Sequence, residues 1–308
     1  MNSFGTTFRL TTFGESHGSA IGGIVDGCPA GIAIDQDFVD AELRRRRIGD
    51  GATICDITSR HEEDKVEWLS GIYEGKTLGT PIAFLIRNKD CREADYALLR
   101  DCFRPGHADY TYQQKYGHRD HRGGGRASGR ETAVRVVAGA LAKQILAQQN
   151  IHIAAKMAVP HICCTIEGLP AGVGEPIFDR LNARLAYAMF SIPSCMSFTM
   201  GDTPEAWMLS RNEFPDQWTT KGEAETLTQT NHCGGIQGGI SNGMPVVFYI
   251  GFHQPVTNPE GMNCRTAEGD IVNVAPHGRH DRDHYSRIPV IVESMAAITI
   301  LDLLYQQK

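Results

Sequence analysis

From residue 104 to residue 133 the chain reads RPGHADYTYQQKYGHRDHRGGGRASGRETA. Up to residue 130, six cations (Arg104, Lys115, Arg119, Arg122, Arg126 and Arg130) stand against two acids, Asp109 and Asp120. Gly123, Gly124 and Gly125 precede Ser128 and Glu131, whose S-x-x-E spacing predicts a capping box and a helix start near Ser128. Backbone N–H groups at a helix start attract anions, and glycine lets a ligand approach the chain closely. Such a stretch suits a polyanion. A solvated loop whose cations pair with acids elsewhere has the same composition. A second cation run, Arg44, Arg45, Arg46 and Arg47, closes a predicted helix. It either complements the helix dipole or clamps phosphate or carboxylate in bidentate fashion. His17, in GESHG at residues 14–18, and His107, in RPGHAD, both sit on tight turns from which an imidazole can move a proton. The first turn differs from the nucleophile elbow of serine hydrolases, because His17 follows Ser16 and no helix follows. His277, His280, Asp281 and His284 form a last cluster, whose spacing fits no standard zinc pattern, and no metal is expected.

The elements that must position these residues are partly legible. An acidic first turn and a basic last turn predict a helix over 35–47, apolar residues at spacings of three and four predict one over 130–149, and a segment apolar nearly all round predicts a buried helix over 287–307. Short apolar runs bounded by turn residues predict strands at 81–88, 151–158 and 244–253. The mixture lacks regular βαβ units, so the expected class is α+β with antiparallel sheets in a single domain, residues 1–308. No G-x-G-x-x-G joins a strand to a helix, which argues against a dinucleotide-binding unit. Net charge is −6, the wrong sign for a nucleic-acid binder, and the cations are local. Nine cysteines, an odd number without C-x-x-C, read as reduced thiols. With no signal-like N-terminus and no predicted membrane partner, a cytoplasmic protein is expected.

Several stretches occur in the order found in the chorismate synthase family. TTFGESHG comes first, then FRPGHADYTYQQKYGHRDHRGGGRASGRETAVRVVAGALAK, then GGIQGGISNG, and finally GRHD followed by IPVIVESM. Together they resemble that family over most of the chain. The resemblance implies a β-α-β sandwich, helices between two antiparallel sheets, assembled as a homotetramer. It implies a 1,4-anti elimination of phosphate from 5-enolpyruvylshikimate 3-phosphate to give chorismate, using reduced FMN without net redox change. The flavin is expected to be reduced either with NADPH on the protein itself or by an external reductant, NADPH then acting indirectly. By motif, His17 and His107 correspond to the family's active-site histidines, and Asp281 to its proton-removing aspartate. Arg126, Ala127, Ser128, Pro193, Ser194, Gly238, Arg279 and the segment His253, Gln254, Pro255, Val256 and Thr257 fall on flavin-site positions. Ser16, Arg45, Arg46, Arg104 and Arg130 are assigned to the small phosphorylated substrate.

The chain departs from the family pattern in several places. Ala127 stands for a serine, His253 for a lysine, Pro193 and Ser194 for an asparagine–alanine pair, and Arg282 for a proline. It is also shorter, the missing part being expected after the helix that ends near Asn150. These changes fall on the flavin grip and motivate an alternative: a paralogue with weakened flavin binding that acts on another phosphorylated cyclohexene acid or is inactive.

Overall fold

Two antiparallel sheets enclose a layer of helices in the computed structural model, which describes residues 1–49, 63–89, 96, 99–220, 227–258, 260–275 and 285–307. The first sheet runs in the order Ser3–Phe4, Arg9–Phe13, Ala20–Asp26, Ile82–Arg87, Val66–Trp68. The second runs His152–Ala158, His161–Glu167, Val246–Phe252, Cys195–Met200. Along Ile82–Arg87 and Val246–Phe252 every second residue is buried, so each strand turns one face to the helices. Five helices are described: α1 (Gln36–Ile48), α2 (Asp109–Tyr116), α3 (Thr132–Ala147), α4 (Leu181–Phe190) and α5 (Ile288–Gln306).

The central pair is α3 and α5, and its closest approach depends on a glycine. A Cβ on Gly139 would lie 2.3 Å from the Cβ of Ser294. On one side α3 presses on the first sheet at Gly23, where a Cβ would lie 2.7 Å from Val134 Cγ1. On the other, Glu293 of α5 accepts a 2.9 Å hydrogen bond from the backbone N–H of Ala155 in the second sheet. Helix α5 is long and apolar enough to cross a membrane by composition, yet 89% of its apolar window is buried here. Its all-round apolarity follows from neighbours on every side. The expected β-α-β sandwich is therefore the architecture found.

Element boundaries agree with the periodicities to within about two residues, but the capping box does not form. Ser128 Oγ accepts from the N–H of Arg130 at 3.3 Å and caps a short 3-10 turn, Gly129–Glu131. The carboxylate of Glu131 instead takes Arg135, one turn ahead, at 2.7 Å. A charge-assisted bond to a guanidinium outcompetes a reach back to a neutral N–H.

Candidate active site

A cleft of about 490 Å³ opens where the end of α1, the turn before α2, the glycine turn, residues 192–194, residues 253–257 and the start of α5 meet. That volume lies within the usual range for small-molecule and cofactor sites.

The RPGHAD turn is a clasp. Arg104 donates from Nε and Nη2 to the two carboxylate oxygens of Asp109, at 2.8 and 2.9 Å, and its backbone N–H donates to Asp109 at 3.0 Å. Arg119 braces the clasp from behind. Its Nη2 reaches the carbonyls of Leu99, Arg100 and Cys102, and its plane lies over the ring of Phe103. Burial pushes the Asp109 carboxyl up, but the hydrogen bond and charge of Arg104 outweigh it and hold the group below the usual carboxylate range. His107 sits at the apex. Its Nδ1 lies 2.9 Å from the carbonyl of Pro105, which only accepts, so Nδ1 carries a proton. Its Nε2 lies 3.0 Å from Thr257 Oγ1.

His17 lies behind the lining, 6% exposed, with its ring edge-on to Tyr96 at 4.7 Å. This contact requires a glycine at residue 123: Gly123, Gly124 and Gly125 all have positive φ (58°, 82° and 54°), and a Cβ on Gly123 would lie 2.2 Å from the imidazole. Ser16 Oγ donates to the carbonyl of Gly123 at 3.1 Å, so its 3.1 Å contact with His17 Nδ1 is one in which the imidazole donates. Both histidines thus present Nε2 as the nitrogen that takes and gives a proton.

The arginines divide. Arg46 is buried yet borders the cleft, with Nε on Thr132 Oγ1 at 3.0 Å, Nη2 on the carbonyl of Gly129 at 2.8 Å and Nη1 on Asp64 at 3.4 Å. Arg130 donates to the same Asp64 from Nη1 and to Asn88 Oδ1 from Nε, the latter at 3.1 Å. Arg45, expected on the substrate, turns the other way. It chelates Glu293 of α5 at 2.7 and 3.0 Å and also bonds Glu42, because successive helical residues point about 100° apart.

Of the expected site residues, the lining contains His107, Arg46, Arg104, Arg130, Ala127, Ser128, Pro193, Ser194, His253, Gln254, Pro255, Val256 and Thr257. Ser16 and His17 stand immediately behind it. Arg126 does not join them. It bonds the carbonyl of Gly14 at 3.2 Å and Thr12 Oγ1 at 2.5 Å, and lines a wider recess on the far side of the glycine turn with Tyr112 and Arg122. Consecutive left-handed residues rotate the chain, so the two ends of this turn serve opposite faces. Gly238 turns an exposed hairpin between Ile236–Gln237 and Ile240–Ser241 and is not part of the lining. Asp281, Arg279 and the remaining cluster over 277–284 lie outside the described residues.

The solvated-loop reading had the cations pairing with acids elsewhere; here Asp109 and Asp120 pair with Arg104 and Arg122 within the same stretch, the first pair buried and the second partly exposed. Residues missed from sequence include Asp64, Asn88, Tyr96, Asp109 and Thr132. Asp109 had a local signal, five residues after Arg104. Asp64 and Asn88 had none, lying 66 and 42 residues from Arg130.

The chain was compared with known proteins. A sequence model of the chorismate synthase family matches residues 8–160 and 158–305. The chain is 42% identical over 356 residues to the chorismate synthase of Cytophaga hutchinsonii, covering 100% of this chain and 98% of the relative. It is 42% identical over 351 residues to that of Bacteroides fragilis, covering 98% and 97%. A crystal structure of chorismate synthase superposes with a TM-score of 0.72 at 24% identity, over 99% of this chain and 93% of the other. An alignment of 356 positions leaves gaps in a chain of 308. The two family matches overlap at residues 158–160, at the turn between the strands His152–Ala158 and His161–Glu167. With the family matched along nearly its whole length and the fold matched independently, the chain belongs to the chorismate synthase family.

Proposed function

We propose that this chain is a chorismate synthase, eliminating phosphate and a hydrogen from 5-enolpyruvylshikimate 3-phosphate to give chorismate. The observation that supports this most directly is one cleft lined by His107, Arg104, Arg130 and the Ala127 and Ser128 turn. The residues present suit a flavin. Ile192, Pro193, Val256 and Ile291 offer apolar walls beside the hydroxyls of Ser128, Ser194 and Thr257 and the amide of Gln254. Ala127, Ser128, Pro193, Ser194 and residues 253–257 would hold reduced FMN, which when bound lends the electron that expels phosphate and takes it back.

The chain's own residues do the rest. Arg46 and Arg130, which share the one carboxylate of Asp64, bring net positive charge to a cleft that must hold several anions, which would otherwise repel one another at about 4 kcal/mol per close pair. His107, with its proton on Nδ1 held by Pro105, uses Nε2 toward the departing phosphate. His17, held by Ser16 behind the glycine turn, would serve through Nε2 on the flavin's side, as its motif implies. Asp281, by its motif, would take up as a proton the hydrogen lost from the ring. NADPH serves as an indirect reductant, and the enzyme works in the cytoplasm as a homotetramer.

The test is anaerobic. With reduced FMN and 5-enolpyruvylshikimate 3-phosphate, equimolar phosphate and chorismate are expected, and oxidised FMN alone should give neither. A folded protein that releases no phosphate under reducing conditions would overturn the reading.

A further inference from the structure

Asp64 is a buried carboxylate between two cations of the cleft. Its side chain is 2% exposed, it lines the cleft, and it accepts from Nη1 of both Arg46 and Arg130. It does so from a left-handed backbone, φ +53°, a conformation that costs free energy for a residue other than glycine and persists where the surroundings enforce it.

The placement of both guanidinium groups does not depend on Asp64 alone. Arg46 is also tied to Thr132 and the carbonyl of Gly129, and Arg130 to Asn88. Among these described partners, Asp64 is the one that adds negative charge, beside the cations that an incoming phosphate ester would seek. The geometry points to Asp64 as a built-in counter-ion that competes with bound anions for Arg46 and Arg130 and so sets how tightly the cleft holds phosphate. An elimination that ends with phosphate in a cationic pocket needs such a limit, because a site that binds its product too well does not turn over. This rests on the reading of the cleft as a phosphate-ester site.

Asparagine is the informative substitution. It has the shape of aspartate, tolerates the left-handed conformation and removes only the charge. Inorganic phosphate is the probe, titrated calorimetrically into wild type and Asp64→Asn. The variant is expected to bind phosphate about tenfold more tightly. In turnover its KM for the phosphorylated substrate and its kcat should both fall, with phosphate a stronger product inhibitor. A folded variant with equal or weaker phosphate affinity overturns the proposal and leaves Asp64 as a structural tie. If the variant is unstable alone, phosphate should raise its melting temperature more than that of wild type, because the anion then replaces the missing carboxylate. A rise no greater than that of wild type overturns it as well. Wild type that neither binds phosphate nor turns over substrate defeats the functional reading itself. Wild type that turns over normally beside an Asp64→Asn variant with unchanged phosphate affinity defeats only the counter-ion.

Discussion

His107 and His17 look alike in sequence, each a histidine on a glycine-bounded turn, but they differ in what surrounds them. His107 is half-buried at the apex of its turn, its ring held by one carbonyl and one hydroxyl. His107→Ala should therefore lower kcat by about 10²–10⁴, the usual worth of a positioned acid or base. The melting temperature should move little, since a turn-borne side chain carries little packing. His17 is buried between Tyr96 and Gly123, so His17→Ala should lose activity and stability together. Kinetics and thermal melts on the two variants check the contrast, and equal stability losses would contradict it.

At the scale of elements, the site depends on clasps between charged groups. Asp109 is held below the ordinary carboxylate value of about 3.9. A group depressed in the folded state contributes stability that is present above its unfolded value and is lost as pH falls through its folded value. The RPGHAD turn should therefore loosen below about pH 4, seen as faster hydrogen exchange around His107. Asp109→Asn should show the loosened turn already at neutral pH, without that acid step. The second clasp joins α1, α3 and α5, where Arg45 and Lys143 meet Glu42 and Glu293. Burial pushes the Glu293 carboxyl up, while Arg45 and Lys143 more than reverse it. Arg45→Ala leaves a buried carboxylate short of a partner, and should cost about 1–3 kcal/mol in urea unfolding. Its effect on substrate KM should be far smaller than that of Arg130→Ala, the reverse of what an arginine run treated as one clamp would give.

For the whole molecule, the crossing of Gly139 and Ser294 is the point through which both sheets are held at one spacing. Gly139→Val would place its Cβ 2.3–2.7 Å from atoms of Ser294, with two methyl groups beyond it, and should cost about 1–3 kcal/mol by overpacking. Because α3 carries the first sheet and α5 the second, the loss should appear as one cooperative transition at lower urea. A variant with an unchanged urea midpoint would show that the crossing relaxes without cost.

Local periodicity sufficed for the main helices and strands, because neighbours three or four residues apart in a helix, or two apart in a strand, share a face whatever lies opposite. The same locality made RPGHAD and the glycine turn readable as site material, and the order of the motifs pointed to the family and its sandwich. Packing alone decided which cations reach the cleft. Arg45 and Arg46 are adjacent in the chain, yet one is drawn to Glu293 and the other to Asp64, through contacts 248 and 18 residues away. Arg126 and Ala127, also adjacent, face opposite sides of one turn. A charge in a sequence has no direction. It acquires one only when the fold brings a carboxylate within hydrogen-bonding reach and removes the water that would otherwise have screened it.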